Sequence, residues 1–195
     1  MKQKNILLVG GCGQIGKAFA SNLLNNGHRV IIADYDHNLG KKFLKDFDNI
    51  NLSFIKCDVL VDKSINKLLL QSIKILKKID IAIYCAYPKS KEWGKNFLKL
   101  KRKFVNQDLD NQLTSTIIFS QKIIDLFLKQ KYGNLIYISS IQGISAPKFH
   151  HYSGTKMNSP IEYSAIKSGI ISVSKYLAKM YIKKNIRINC ISPGG

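Results

Sequence analysis

The sequence predicts an α/β protein, one domain built on a doubly wound parallel sheet with helices on both faces. Three observations carry this. Short β-branched and aliphatic runs alternate with longer amphipathic segments from residue 5 to residue 192, the β-α-β order that builds such sheets. The short runs are apolar at nearly every position, as in strands buried on both faces. No Pro/Ser-rich linker, repeat or low-complexity stretch divides the 195 residues, which are enough for one substantial core.

Taken in order, "NILLVG" (5–10) is the first strand, and glycines at 10, 11, 13 and 16 form the turn that follows it. The next segment, 14–27, places Ile15, Phe19 and Leu23 at helical spacing and stops on Gly27, a residue suited to helix C-termini. "HRVIIAD" (28–34) and "NLSFIKCD" (51–58) read as strands two and three, with no element assigned to 35–50. A helix over 62–78 leads to strand four, "IDIAIYCA" (79–86), and a long helix over 101–131 leads to strand five, "GNLIYISS" (133–140). A helix over 160–184 precedes strand six, "IRINCIS" (186–192). In a sheet wound this way, ligands bind beyond the carboxyl ends of the strands.

Composition narrows the function. The basic start and apolar run of "MKQKNILLVGGCG" resemble a leader peptide, but the run ends after a few residues in the glycine turn. No apolar stretch is long enough to cross a bilayer. Cys12, Cys57, Cys85 and Cys190 lack metal-ligand spacing and sit in or beside strand-like runs, the pattern of reduced structural thiols in a cytoplasmic protein. The four histidines lack ligand spacing too, and His150 and His151 are expected to point apart, so no metal site is expected. The net charge of +19 raises the question of a nucleic-acid partner. The lysines are scattered over every helix, with "KLKRK" the only dense cluster, which describes solvated faces rather than a footprint. Attraction of small anions survives as a consequence.

Gly11, Gly13 and Gly16 satisfy G-x-G-x-x-G, and Gly10, Gly13 and Gly16 satisfy G-x-x-G-x-x-G. Either pattern, between a strand and a helix, supplies a tight turn, a close backbone approach and free N–H groups for a pyrophosphate. Asp34 ends strand two 18 residues after Gly16, near where an acid grips the adenosine ribose of a dinucleotide. A carboxylate there repels the 2′-phosphate of NADP, so NAD is expected over NADP.

Tyr-x-x-x-Lys occurs twice, as Tyr152 with Lys156 and as Tyr163 with Lys167. The first pair encloses Gly154 and runs into Pro160, which breaks a helix there. The second follows Ser159 as N-cap, Pro160 as first helical residue and Glu162 as partner in a capping box. Apolar positions continue at helical spacing to Met180, so Tyr163 and Lys167 share one helix face. A phenol beside an ammonium, near a dinucleotide, points to acid/base work on a carbonyl. Bringing a phenol from ~10 to neutrality takes about 4 kcal/mol of preferential phenolate stabilisation.

Together these residues resemble the short-chain dehydrogenase/reductase family. The glycine turn, Asp34, "CDV" after strand three, "ISS" after strand five, "YSAIK" on a long helix and "RINCISPGG" occur in the family's order across the whole chain. The resemblance implies a Rossmann-type sheet in the order 3-2-1-4-5-6, with the seventh strand of relatives missing because the sequence stops at Gly195, as in a partial sequence. It implies that Ser140 hydrogen-bonds the substrate carbonyl, that Tyr163 is the acid/base, and that Lys167 holds the nicotinamide ribose and lowers the tyrosine pKa. Cofactor contacts are implied for Gly10, Gly11, Gly13, Gln14, Ile15 and Gly16, for Asp58, Val59 and Ala86, and for Pro193 and Gly194 beside the nicotinamide. The helix asparagine that supports a relay water falls on Gln112, with Asn111 adjacent. Val9 replaces a usual threonine, and "YCAY" (84–87) replaces "NNAG". The helices over 101–131 and 160–184 pair subunits in relatives, which implies a homodimer or tetramer.

The spacing of 23 positions from Ser140 to Tyr163 exceeds the family's usual one. That added segment (141–160), with "CAYPKSKEWGKNF", is similar to a subgroup encoded with bacterial flagellin-glycan, nonulosonic-acid and surface-polysaccharide genes. The likeness implies an anionic sugar or amino-sugar derivative as substrate. Lys148, His150, Tyr152 and Lys156 either line its entrance or form a solvent-exposed or subunit-contact loop. Two other readings stay open: a reductase of acyl-carrier or other non-sugar ketones, and a non-catalytic dinucleotide sensor.

Overall fold

The computed structural model describes residues 2–155 and 158–194. Six parallel strands, β1 (Asn5–Val9), β2 (Arg29–Asp34), β3 (Leu52–Lys56), β4 (Ile81–Tyr84), β5 (Gly133–Ile138) and β6 (Ile186–Ile191), form one sheet in the order β3-β2-β1-β4-β5-β6. Alternate residues feed two cores. Leu7, Val9, Ile31 and Ala33 join α3 (Asp62–Leu76), α5 (Ser115–Gln130) and α6 (Ile161–Tyr181) on one face. Ile6, Leu8, Val30 and Ile32 meet α1 (Gln14–Asn25) and α2 (His37–Phe47) on the other. Burial on both sides explains the unbroken apolar runs.

Val9 pairs with Ala33 on one side and with Tyr84 on the other, so β1, β2 and β4 end level. The winding reverses between β2 and β4, on either side of β1, and a crevice opens at that switch point. Among the described residues no helix is long and apolar enough to cross a membrane.

Three elements differ from the sequence reading. The helix α2 occupies part of 35–50. Asp36 caps it, its Oδ1 accepting from the backbone N–H groups of Asn38 and Leu39 at 2.9 and 3.0 Å, a local signal that was available in the sequence. The long helix over 101–131 is α4 (Arg102–Leu109), a π turn at Asp110–Thr114, and α5. Here Ser115 and Thr116 hydroxyls donate back to the carbonyls of Asn111 and Gln112, at 2.5 and 2.6 Å, and such back-bonding disturbs regular helix. The helix α6 starts at Ile161 with Pro160 as its cap residue and without a side-chain cap bond. The expected capping box does not form: the Ser159 hydroxyl donates instead to Gln142 Oε1 at 2.5 Å.

Candidate active site

The crevice is a cleft of about 700 Å³ whose wall includes Gly10, Gly13, Asp34, Asp58, Val59 and Ala86. The glycines of the first turn are there for different reasons. Gly10 has φ +76°, and a Cβ on it would lie 2.6 Å from Ala86 N. A Cβ on Gly16 would lie 2.6 Å from the carbonyl oxygens of Gly10 and Gly11, and one on Gly11 would lie 2.8 Å from Ile32 Cβ. These three are packing positions, and Gly11 and Gly16 do not reach the cleft wall. At Gly13 a Cβ would meet nothing closer than Gly10 O at 3.6 Å, so the need for glycine there comes from whatever fills the cleft. The open cradle at Gly13 above the start of α1 fits a dinucleotide pyrophosphate. Gln14 and Ile15 begin α1 outside the cleft wall.

Asp34 is tied into this turn. Its Oδ2 accepts from Cys12 N–H at 3.1 Å and its Oδ1 from Asp36 N–H at 3.4 Å. The Asp58 backbone N–H donates to Ser64 Oγ at 3.0 Å, and its carboxylate accepts from Leu60 N–H at 2.9 Å. Cys12, Cys57 and Cys85 also face the cleft. Burial pushes Cys12 and Cys85 up to about 12, with Asp34 adding to the rise at Cys12. Neutral thiols of this kind are poor nucleophiles. All four cysteines are free.

Beside the cleft, α6 carries Tyr163 and Lys167 one turn apart. The turn after β5 is docked on the same helix. A Cβ on Gly143 would lie 2.7 Å from Lys167 C, and the Ser168 hydroxyl donates to Gly143 O at 2.6 Å. Ser139 Oγ donates to Lys167 O at 2.8 Å, and Lys167 Nζ donates to Ile138 O at 2.9 Å. This docking holds the Ser140 turn against the Tyr163–Lys167 turn. Ser140 Oγ accepts from Gln142 N–H at 3.2 Å, which leaves its own proton for another oxygen. Ile141 N–H donates to Pro193 O at 3.0 Å, and Ile141 Cγ2 would be 3.1 Å from a Cβ on Gly194. Pro193 and Gly194 therefore border the Ser140 turn rather than the cleft wall.

The sequence reading missed the aromatic neighbours of this group. Lys167 Nζ lies 5.5 Å from the Tyr163 ring centre and 5.2 Å from that of Tyr87. Tyr87 and Trp93 stand edge-on to Tyr163 at 5.8 and 6.2 Å. The available signal was "YCAY": its Tyr84 is a core residue sharing a hydrogen bond with Ser115 at 2.9 Å, whereas Tyr87 faces the cleft.

Gln112 is buried inside the π turn, and among the described residues neither of its amide atoms has a hydrogen-bond partner. It is not in the cleft wall; Asn111 is. Tyr152 lies in a 3-10 turn at Phe149–Tyr152 and accepts from Gln142 Nε2 at 3.0 Å. Lys148 and His150 are exposed, and Lys156 lies outside the described residues. His150 and His151 do not point apart: their rings stand edge to face at 4.3 Å.

Burial pulls the Lys167 ammonium down from 10.5 to about 8, with the Cys190 and Cys85 thiols opposing. The folded-state value is below the unfolded one, so the burial penalty is full below about 8 and is relieved as pH rises towards 10.5. Relative to Lys167→Met, the wild-type chain is therefore expected to gain about 3 kcal/mol of stability across that window. Urea denaturation of both proteins through the same pH range reads this directly. A constant difference would contradict a buried ammonium.

The profile of the family described as short chain dehydrogenase matches residues 4–195. Post-translational flagellin modification protein A of Campylobacter coli is 36% identical over 199 residues, covering 100% of this chain and 78% of that protein. The 3-oxoacyl-[acyl-carrier-protein] reductase of Aquifex aeolicus is 26% identical, covering 100% of this chain and 74% of that protein. A solved short chain dehydrogenase from Leptospira borgpetersenii, with bound NAD+, superposes with a TM-score of 0.86 at 30% identity, covering 100% of this chain and 72% of that one.

Proposed function

The chain belongs to the short-chain dehydrogenase family and is an oxidoreductase, and on that footing we propose that it transfers hydride between NAD and a hydroxyl-bearing or carbonyl carbon of a sugar derivative made for surface glycans. The observation that carries the chemistry is the docking of the Ser140 turn onto the α6 face that bears Tyr163 and Lys167, next to the glycine-turn cleft. When bound, the nicotinamide supplies or accepts the hydride. Tyr163 gives its proton to the substrate oxygen in reduction and takes it in oxidation. The Ser140 hydroxyl donates to the same oxygen, its own lone pair being engaged by Gln142 N–H. Lys167, a cation under both aromatic rings, favours the phenolate of Tyr163 and reaches the ribose hydroxyls. Asp34, Asp58 and Val59 meet the adenosine end. The amide of Gln112, buried and without a partner among the described residues, would hold a relay water.

Support for the sugar class is the likeness to a flagellin modification protein, together with the extended segment between Ser140 and Tyr163. The net charge of +19 favours anionic substrates. A homodimer through α5 and α6 is part of the reading, because Ile117, Leu128 and Tyr176 are exposed around a groove between these helices. Sedimentation as a monomer at micromolar concentration would remove that part. Cytoplasmic placement belongs to it as well, supported by four free thiols; recovery in an exported fraction would count against it.

The test is a screen of sugar phosphates and nucleotide sugars against NAD+ and NADP+, followed by NADH absorbance. Turnover is expected with NAD+ preferred by about tenfold or more, since the Asp34 carboxylate opposes a 2′-phosphate. Turnover of acyl thioesters with NADPH and of no sugar would replace this reading with a ketoacyl reductase.

A further inference from the structure

Gln142 is not one of the residues required for hydride transfer, yet it carries more tertiary hydrogen bonds than Ser140 itself. Its backbone N–H donates to Ser140 Oγ at 3.2 Å. Its side-chain Nε2 donates to the Tyr152 hydroxyl at 3.0 Å, and its Oε1 accepts from the Ser159 hydroxyl at 2.5 Å. The amide thus ties Tyr152 and Ser159 to the Ser140 turn, next to the start of the helix that bears Tyr163. One residue earlier, Asn158 Nδ2 donates to Gly94 O at 3.4 Å, in the loop after β4. That loop is anchored in turn: buried Asp108 accepts from Ser90 N–H at 2.6 Å and from its hydroxyl at 2.7 Å, and Trp93 packs edge-on to Tyr163.

Two connections, the one after β4 and the one between β5 and α6, are in this way joined into one rim around Ser140 and Tyr163. We infer that Gln142 is a positioning residue that holds Tyr152 and Ser159 at the substrate mouth beside Ser140 and Tyr163, so that it sets which substrates are accepted without taking part in the proton transfer. The inference rests on the reading under Proposed function for the identity of the site. The physical ground is that an amide spends both a donor and an acceptor here, each on a different residue, which no apolar side chain of equal length can do.

Two variants of nearly equal size separate the polar role from a space-filling one. Gln142→Met keeps the volume and loses both bonds. Gln142→Glu keeps an acceptor for Ser159 and offers a second to the Tyr152 O–H. In the full chain, tryptic cleavage after the exposed Lys148 is expected to be about tenfold faster in Gln142→Met and unchanged in Gln142→Glu. With the sugar substrate found by the screen, Gln142→Met is expected to raise KM about tenfold while kcat stays within about threefold. Equal cleavage of Gln142→Met and wild type overturns the clamp. Faster cleavage with an unchanged KM overturns the positioning role and leaves a purely structural one. If no sugar is turned over, the proposed substrate class fails, while the cleavage comparison still decides whether Gln142 holds Tyr152 and Ser159.

Discussion

Tyr163→Phe is expected to lower kcat by about 10³-fold, the usual contribution of a positioned general acid, while the Kd for NADH stays within about twofold. The reason for the split is geometric. Removing one hydroxyl leaves the aromatic ring, and with it the contacts to Tyr87, Trp93 and Lys167 at 5.8, 6.2 and 5.5 Å. The glycine-turn cleft is untouched, since Tyr163 is not part of its wall. The matched control is Tyr152→Phe. That hydroxyl accepts a single bond from Gln142 and belongs to the Phe149–Tyr152 turn, not to α6, so its loss is expected to act on KM and to leave kcat within about threefold. Stopped-flow single turnover with the screened substrate separates the chemical step from release. Equal loss of kcat in the two variants would mean that the phenol on α6 is not the proton donor.

The second large effect is on the glycine turn, where identical substitutions are expected to fail for opposite reasons. Gly10→Ala places a Cβ at φ +76°, 2.6 Å from Ala86 N and 2.7 Å from Ala86 Cα. These are backbone atoms, and the strand end carrying them is held by the Cys85 N–H bond to Val9 O at 2.8 Å, so they cannot withdraw cheaply. Left-handed backbone and overpacking together cost about 3 kcal/mol, which lowers Tm by about 6–12 °C in a chain of this size. Gly13→Ala meets no atom closer than 3.6 Å, so its Tm stays within about 2 °C of wild type. Its methyl group enters the space over the start of α1, and the Kd for NADH is expected to rise more than about tenfold. Calorimetry and fluorescence titration of the two proteins check both halves. Gly13→Ala binding NADH as the wild type does would move the cofactor elsewhere.

How much of this was legible from the chain depends on whether the signal was local. The strands announced themselves because burial on two faces demands apolar residues at consecutive positions, and the β-α-β alternation then left few ways to wind the sheet. The choice of Tyr163 over Tyr152 was equally readable, since Pro160 and Gly154 confine helix to one of the two Tyr-x-x-x-Lys pairs. Asp36 was a local cap that could have revealed α2. Nothing local announced that Ser159 would leave the helix end for Gln142, because that bond joins residues 17 apart. The π turn was equally silent, as hydroxyls such as Ser115 and Thr116 are found in ordinary helices too.

By itself, then, the sequence determined the doubly wound α/β class and which tyrosine lies on a helix, because hydrophobic periodicity and chain stiffness act between neighbours, while its ordered motifs carried the resemblance to the family and, with it, the strand order. Only the tertiary structure decided which glycines serve packing and which faces the cleft, that Gln112 is buried while Asn111 borders it, and that Tyr87, Trp93 and Gln142 surround the acid/base pair. Those facts depend on side chains meeting across elements far apart in the chain, and such contacts leave no spacing to read.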